Sequence, residues 1–133
     1  MNYLKIVRLG ALYDLIVTFP FAFPKLCEWE IGMLKNLHLQ LGLTGSVPDF
    51  QPLHYFFINL MGSVVIVWSL LRLRHAQAIF GWYDGLARSL FAAWMLYYLI
   101  AFRITGLVWF LFVPEITWAA VQFGLYARRN HGT

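Results

Sequence analysis

Four long apolar stretches divide the chain, each close to the ~20 residues that a helix rising ~1.5 Å per residue needs to cross the hydrocarbon of a bilayer. The first runs from about Leu4 to Phe23, with Arg8 near its start and Asp14 in its middle. Pro20 and Pro24 bend it and then end it, because proline lacks the amide donor and clashes with the preceding turn. The second, Leu53 to Leu71, carries no charge and opens just after Pro52, a residue suited to the first turn of a helix. The third, about Asp84 to Phe102, has Asp84 placed as an N-cap and Arg88 one turn further in. Its uncharged part is short, so Arg88 is expected to snorkel toward the membrane surface. The fourth, Ile104 to Ala127, holds Pro114 and Glu115 near its middle and ends at Arg128 and Arg129. Only a tight turn around Arg103–Gly106 separates the last two, so they are expected to form an antiparallel hairpin.

The nearly thirty residues between the first two stretches are too apolar for a plain loop. Leu26, Trp29, Met33, Leu37 and Leu41 recur at helical spacing, while Glu28, Lys35, His38 and Gln40 fall largely elsewhere. This pattern predicts an amphipathic helix over about 26–41, lying in the membrane interface. Residues 37–43 also alternate strictly, as a strand does, but a lone strand at a membrane surface leaves its edges unpaired. A Gly/Ser/Pro loop, Gly42 to Pro52, follows. The predicted fold is all-α: one domain over residues 1–133, an integral membrane four-helix bundle with an added interfacial helix.

Composition strengthens the membrane reading. Hydrophobic residues make up 61% and charged residues 12%, against about 45–50% and about 25% in soluble domains. A soluble chain of this size has too little interior to hide so much apolar surface. Aromatics at 19% suit interfacial belts. The formal charge of +4 is scattered rather than gathered on one face. It is read as a topology signal, not as a nucleic-acid footprint. Lys5, Arg8, Arg72, Arg74, Arg88, Arg128 and Arg129 collect on one side, and Lys25, Lys35 and Arg103 on the other. Seven against three predicts a multi-pass membrane protein, N-in and C-in. The N-terminal stretch is kept as a span rather than a cleaved signal, since Asp14 interrupts it and no Ala-x-Ala-like site follows. A single cysteine, Cys27, excludes an intrachain disulfide and is read as a small apolar side chain.

Charge at mid-depth costs at least about 2.5–3.5 kcal/mol on the insertion scale, so such a residue faces the bundle interior and has a partner. Asp14 and Glu115 are the two carboxylates in this position, and their estimated depths are similar. They are candidates for a proton- or cation-linked site or an acid/base pair sharing one cavity. A structural role is the alternative: Asp14 neutral or paired with Arg8 or Arg88, and Glu115 bonded to backbone amides freed by Pro114. Tyr13, Asn59, Trp118 and Gln122 are candidate donors or wall residues near the two acids, and Gln122 shares Glu115's helix face. His54 and Asn59, in the outer half of the second span, lie about 140° apart and share no face.

Small and polar residues repeat at three- and four-residue intervals: Asn59, Gly62, Ser63, Ile66 and Ser69; Gly85, Ser89 and Ala93; Gly10, Asp14 and Thr18. They are read mainly as faces where helices approach closely. The six tryptophans are read as belt or lipid-facing residues, with Trp118 also placed to line a cavity beside Glu115. Histidines 38, 54, 75 and 131 are dispersed, so neither a metal nor a haem site is predicted. No nucleophile elbow, phosphate loop or intramembrane lysine is present. No cofactor is predicted.

With Arg8-Leu9-Gly10, Asp14, Pro20, the interfacial segment and Pro114-Glu115 in place, the chain resembles the small four-helix bacterial membrane proteins grouped as DoxX-like or BphX-like. The resemblance spans the whole chain in length, span count and polar positions. It implies an accessory role beside oxidative or aromatic-degradation enzymes. The chain is also similar to four-span sterol-isomerase-like domains, where intramembrane acids do acid/base work, and to small multidrug transporters, which place one acid in their first span. Two functional classes follow: a protein that binds a hydrophobic small molecule or a partner membrane subunit within the bundle, and a small membrane enzyme, isomerase or oxidoreductase accessory, using its carboxylates. A proton-coupled transporter ranks behind both. The expected partners are the lipid bilayer and that ligand or subunit, not nucleic acid; a homo-oligomer is left open.

Overall fold

The computed structural model describes residues 2–131, and among them the chain is all-helical with no strand. Helix α1 (Tyr3–Thr18) starts on Asn2, whose side chain accepts from the Leu4 amide. It tightens into a 3-10 turn, Phe19–Ala22, around Pro20. Phe23 then turns extended and Pro24 opens helix α2 (Pro24–Gln40), at 102° to the preceding segment. The two prolines thus set a sharp corner, because a proline belongs in a first turn but not in a helix interior. The helical reading of residues 37–40 holds over the strand alternative.

Helix α3 (Pro52–Arg74) follows the loop and is capped by a reciprocal exchange between Gln51 and His54. This exposed cap is the role of His54, which lies far from the candidate acids in sequence and touches none of them. Helix α4 (Ala78–Ala101) begins six residues earlier than the sequence pattern suggests, so Asp84 is an interior residue of the helix and not its cap. A turn with Arg103 at φ +49° and a short 3-10 segment, Gly106–Val108, lead into α5 (Trp109–His131), which carries Pro114 inside it. The α4–α5 pair packs side by side as the expected hairpin.

The stretches Pro52–Arg74 and Gly106–Arg129 are each long and apolar enough to cross a membrane. The bent pair Tyr3–Ala22 and Pro24–Gln40 adds a third if it counts as one span. Large apolar side chains cover the outside, among them Ile16, Val64, Val67, Ile100 and Phe110, each at least 65% exposed. Water would oppose that arrangement and lipid would not.

Packing divides into two pairs. α1 lies along α3, and α4 along α5. α3 and α4 are joined by only three residues yet pack against these partners rather than on each other, which opens a crevice between the pairs. Close approach of α3 to the Phe19–Ala22 turn depends on Gly62, and Asn59 Nδ2 donates to the Phe21 carbonyl at 2.8 Å. The small-residue reading therefore holds for Gly62. It fails for Ala93, which is exposed, while its neighbour Ala92 is buried. Ala93→Leu is expected to shift the melting temperature by no more than a surface substitution does, within about 0.5 kcal/mol; a melt in detergent checks this.

At one end of the molecule the segment 41–51 crosses the α4–α5 turn. Gly45, at φ +82°, sits where a Cβ would lie 2.2 Å from the Ile104 carbonyl oxygen. The Gly106 amide donates to the Thr44 carbonyl at 2.8 Å, and His38 Nδ1 meets Thr105 Oγ1 at 2.7 Å. Lys35 bonds Asp49 and holds its carboxyl below the usual carboxylate range. A depressed folded pKa contributes stability above the ordinary carboxylate range and loses it as pH falls through the lower folded value. Protection of the 41–51 amides, taken relative to their intrinsic exchange rates, is therefore expected to fall selectively in acid, and unchanged protection would count against the link.

Candidate functional site

The centre of the molecule is polar. Five charged side chains from four helices meet there: Asp14 of α1, Arg72 of α3, Asp84 and Arg88 of α4, and Glu115 of α5. Arg88 is the hub. Its Nη2 donates to Asp14 Oδ1 at 2.6 Å and its Nη1 to Glu115 Oε2 at 3.0 Å, while Nε donates to Asp84 Oδ2 at 3.3 Å. The last contact spans one helical turn, the spacing at which side chains on one helix meet. Arg72 bridges two of these acids, Asp14 and Asp84: its Nη2 donates to Asp14 Oδ2 at 2.7 Å. Its Nη1 lies 2.6 Å from Asp84 Oδ2 but off the line of a hydrogen bond, so that contact is ionic.

Neutral groups complete the cluster. Gln122 Nε2 donates to Asp84 Oδ2 at 2.6 Å, and Trp68 Nε1 to Asp84 Oδ1 at 3.2 Å. The Arg88 guanidinium carbon lies 5.6 Å from the Tyr13 ring centre and 5.7 Å from that of Trp118, and Arg72 lies 5.2 Å from Trp68. These are cation–π distances, and desolvation strengthens such contacts. Gly10 makes room for the cluster: a Cβ there would lie 3.1 Å from Gln122 Nε2 and within 3.6 Å of Asp84 and Arg88. Tyr3, further down α1, donates to the Gln122 carbonyl at 3.2 Å and ties α1 to α5.

The sequence candidates separate cleanly. Asp14, Arg88, Glu115, Trp118 and Gln122 come together, with Asp14 and Glu115 on one guanidinium. Asn59 serves the α3 contact with the Phe19–Ala22 turn, and His54 caps α3. Three expectations are corrected. Arg88 does not snorkel: it is 2% exposed, held inward by three carboxylates. Glu115 bonds Arg88 rather than the amides near Pro114. Of the two arginines expected as partners of Asp14, Arg88 is found there, and Arg8 is exposed and is not.

Two central residues escaped the sequence reading. Arg72 was expected among loop charges but is 0% exposed; helical side chains lean toward the N-terminus of their helix, which for Arg72 is toward the molecule's interior. Asp84 was expected as a cap but is 3% exposed. Their signal was present: Arg72 follows Trp68 and Ser69 on one face of α3, and Asp84 precedes Arg88 by one turn. Trp68, expected in a belt, is the indole donor to Asp84.

Above the cluster a cavity of about 930 Å³ fills the crevice between the two helix pairs. Asp14, Asp84, Arg88 and Glu115 form its polar end, and apolar and aromatic side chains such as Val65, Phe91, Trp94, Met95 and Tyr98 form its walls. An apolar pocket of this size with a few convergent polar groups is the form that small-molecule sites take. No family model matches this chain, and neither a curated protein nor a solved structure matches it.

Proposed function

We propose that this protein is a four-span protein of the bacterial inner membrane that binds a hydrophobic small molecule with one polar end. The observation that carries the reading is the cavity itself: about 930 Å³, apolar along its walls, with the Asp14–Arg88–Glu115 group at one end. In this arrangement α1, α3, α4 and α5 cross the bilayer and α2 lies on its outer surface. α4 is less apolar because it carries Asp84 and Arg88, but both are buried among partners, and its 24 residues rise ~36 Å. Such burial removes the cost that charge would meet in lipid.

The orientation remains N-in and C-in. Arg72 and Arg88, being buried, drop out of the topology count, which leaves five basic residues against three. Reporter fusions at Gly42 and Gln77 test this: Gly42 is expected outside and Gln77 in the cytoplasm, and the reverse pattern overturns the orientation. The DoxX-like resemblance belongs to the same proposal and rests on the sequence features that carry it, among them Asp14, Pro20 and Pro114-Glu115.

Mass spectrometry of the protein gently extracted from its native membrane tests the binding role. A stoichiometric lipid-like molecule supports it, whereas a stoichiometric protein with an empty cavity replaces it with the accessory-subunit reading. Acid/base catalysis is less favoured by the geometry. An enzyme of that kind needs a carboxyl free to exchange a proton with substrate, and Asp14 and Glu115 are each engaged by arginine.

A further inference from the structure

A second cleft, of about 510 Å³, lies at the end of the bundle where α1 and α4 begin and α5 ends. Tyr3 is its floor. That ring is buried, packs on the Tyr126 ring at 5.8 Å and donates to the Gln122 carbonyl, and Gly81 leaves α4 room to meet it. Around it stand Asn2, Leu4, Ala78, Leu125, Arg128 and Arg129. The polar groups they offer are donors. Arg128 and Arg129 are exposed, and among the described residues neither has a carboxylate partner. Asn2 accepts from the Leu4 amide through its carbonyl oxygen, which leaves its Nδ2 to donate. α4 opens at Ala78 without a side-chain cap, so the positive end of its dipole adds to the same field. No acid answers these groups. The six side-chain carboxylates lie in the central cluster (Asp14, Asp84, Glu115), on α2 (Glu28, Glu30) and in the loop after it (Asp49). Depth adds a further constraint. The 23 residues of α5 rise ~35 Å, which carries Arg128 and Arg129 to the edge of a hydrocarbon layer ~30 Å thick, where lipid phosphates lie.

We propose that this cleft holds the phosphate group of an acidic phospholipid. Arg128 and Arg129 take the phosphate oxygens, a contact that suits the planar guanidinium fork, and Asn2 Nδ2 adds a further donor. The half-buried Leu4 and Leu125 lie against the start of the acyl chains. A free phosphate offers the same oxygens but makes no use of that apolar flank, whereas a membrane lipid is already at this depth. A zwitterionic lipid carries the same phosphate with an ammonium beside it, which two guanidinium groups and no carboxylate repel. The inference rests on the membrane reading alone. It concerns a different site from the central cavity and stands whether or not that cavity holds a ligand.

Native mass spectrometry of the full chain in detergent tests this, with phosphatidylglycerol and phosphatidylcholine of identical acyl chains as the titrants. Phosphatidylglycerol is expected to bind the more tightly. Arg128→Gln and Arg129→Gln are each expected to weaken it about fivefold, the effect of one basic residue at an anionic lipid surface. The pair Lys5→Gln, Arg8→Gln removes as much charge as the two arginine changes together, from exposed positions outside the cleft, and should leave the affinity unchanged. Ala78→Leu keeps both arginines and fills the cleft, so it should weaken binding as they do. If the arginine variants do not fold, Ala78→Leu and the Lys5, Arg8 pair decide. Equal binding of the two lipids overturns the site. So does a loss in the Lys5, Arg8 pair as large as that in the Arg128, Arg129 pair, because charge at this end would then act only as a surface. Phosphatidylglycerol affinity unchanged in Ala78→Leu overturns it too. Inorganic phosphate that displaces phosphatidylglycerol at equal concentration overturns the lipid and leaves a site for soluble phosphate.

Discussion

Arg88→Leu is expected to remove most folded protein from the membrane, or to lower its stability by about 3–5 kcal/mol, the range for breaking a buried ionic group by removing one partner. Among the described residues, Arg88 is the only side chain that touches Asp14, Asp84 and Glu115 together. Without it, three carboxylates share Arg72, which reaches two of them. Arg88→Lys should fall between wild type and Arg88→Leu, because one ammonium cannot reproduce the planar fork that spans three acids. The triple change Arg88→Leu, Asp14→Asn, Glu115→Gln should recover part of the loss, since it removes the charges left uncompensated. Arg74→Leu, two residues after Arg72 but exposed, is the control and should melt near wild type. Thermal melts followed by size-exclusion chromatography measure all four. A melting point for Arg88→Leu equal to that of Arg74→Leu would show that the ion network does not hold the helices together.

The second large effect is expected at Gly62. A Cβ there would lie 2.6 Å from the Ala22 amide nitrogen and 2.7 Å from the Phe21 carbonyl carbon. These are backbone atoms, which cannot rotate aside, so α3 must move off the Phe19–Ala22 turn. Gly62→Ala is expected to cost about 1–3 kcal/mol, as overpacking does, and Gly62→Leu more. The shift would also strain the Asn59 bond to Phe21, one turn earlier on the same face. Gly124 provides the contrast. It lies inside α5, and a Cβ there meets nothing within 4 Å. Gly124→Ala is therefore expected to be neutral or to stabilise by about 0.5–1 kcal/mol, the penalty that glycine carries in a helix interior. Opposite signs at the two glycines are the result to look for in paired melts; equal losses would mean that helix propensity, not close approach, governs both.

The fold's elements were legible in the chain because their causes are local. Apolar runs of membrane-crossing length, two prolines four residues apart and a turn too short for anything but a hairpin act over a few residues, and α1, α2, α3 and α5 follow them closely. That Asp14 and Glu115 turn inward was also legible, because the cost of charge in lipid belongs to the residue itself, whereas Arg88 was expected to reach the surface. Which partners they would find was not. Arg72 and Asp84 lie near the ends of apolar runs, where a charge is read as surface, and no local rule distinguishes one that reaches solvent from one that leans inward. The start of α4 at Ala78 was hidden for the same reason, as Asp84 and Arg88 broke the hydropathy that marks a span. Only the crossing of α1 past α4 and α5, permitted by Gly10, brought five charges from four helices within bonding distance. The cavity is likewise a property of the assembly. It exists because α3 and α4, adjacent in the chain, each pack on another helix, a choice made by side-chain fit across the whole bundle rather than by either helix alone.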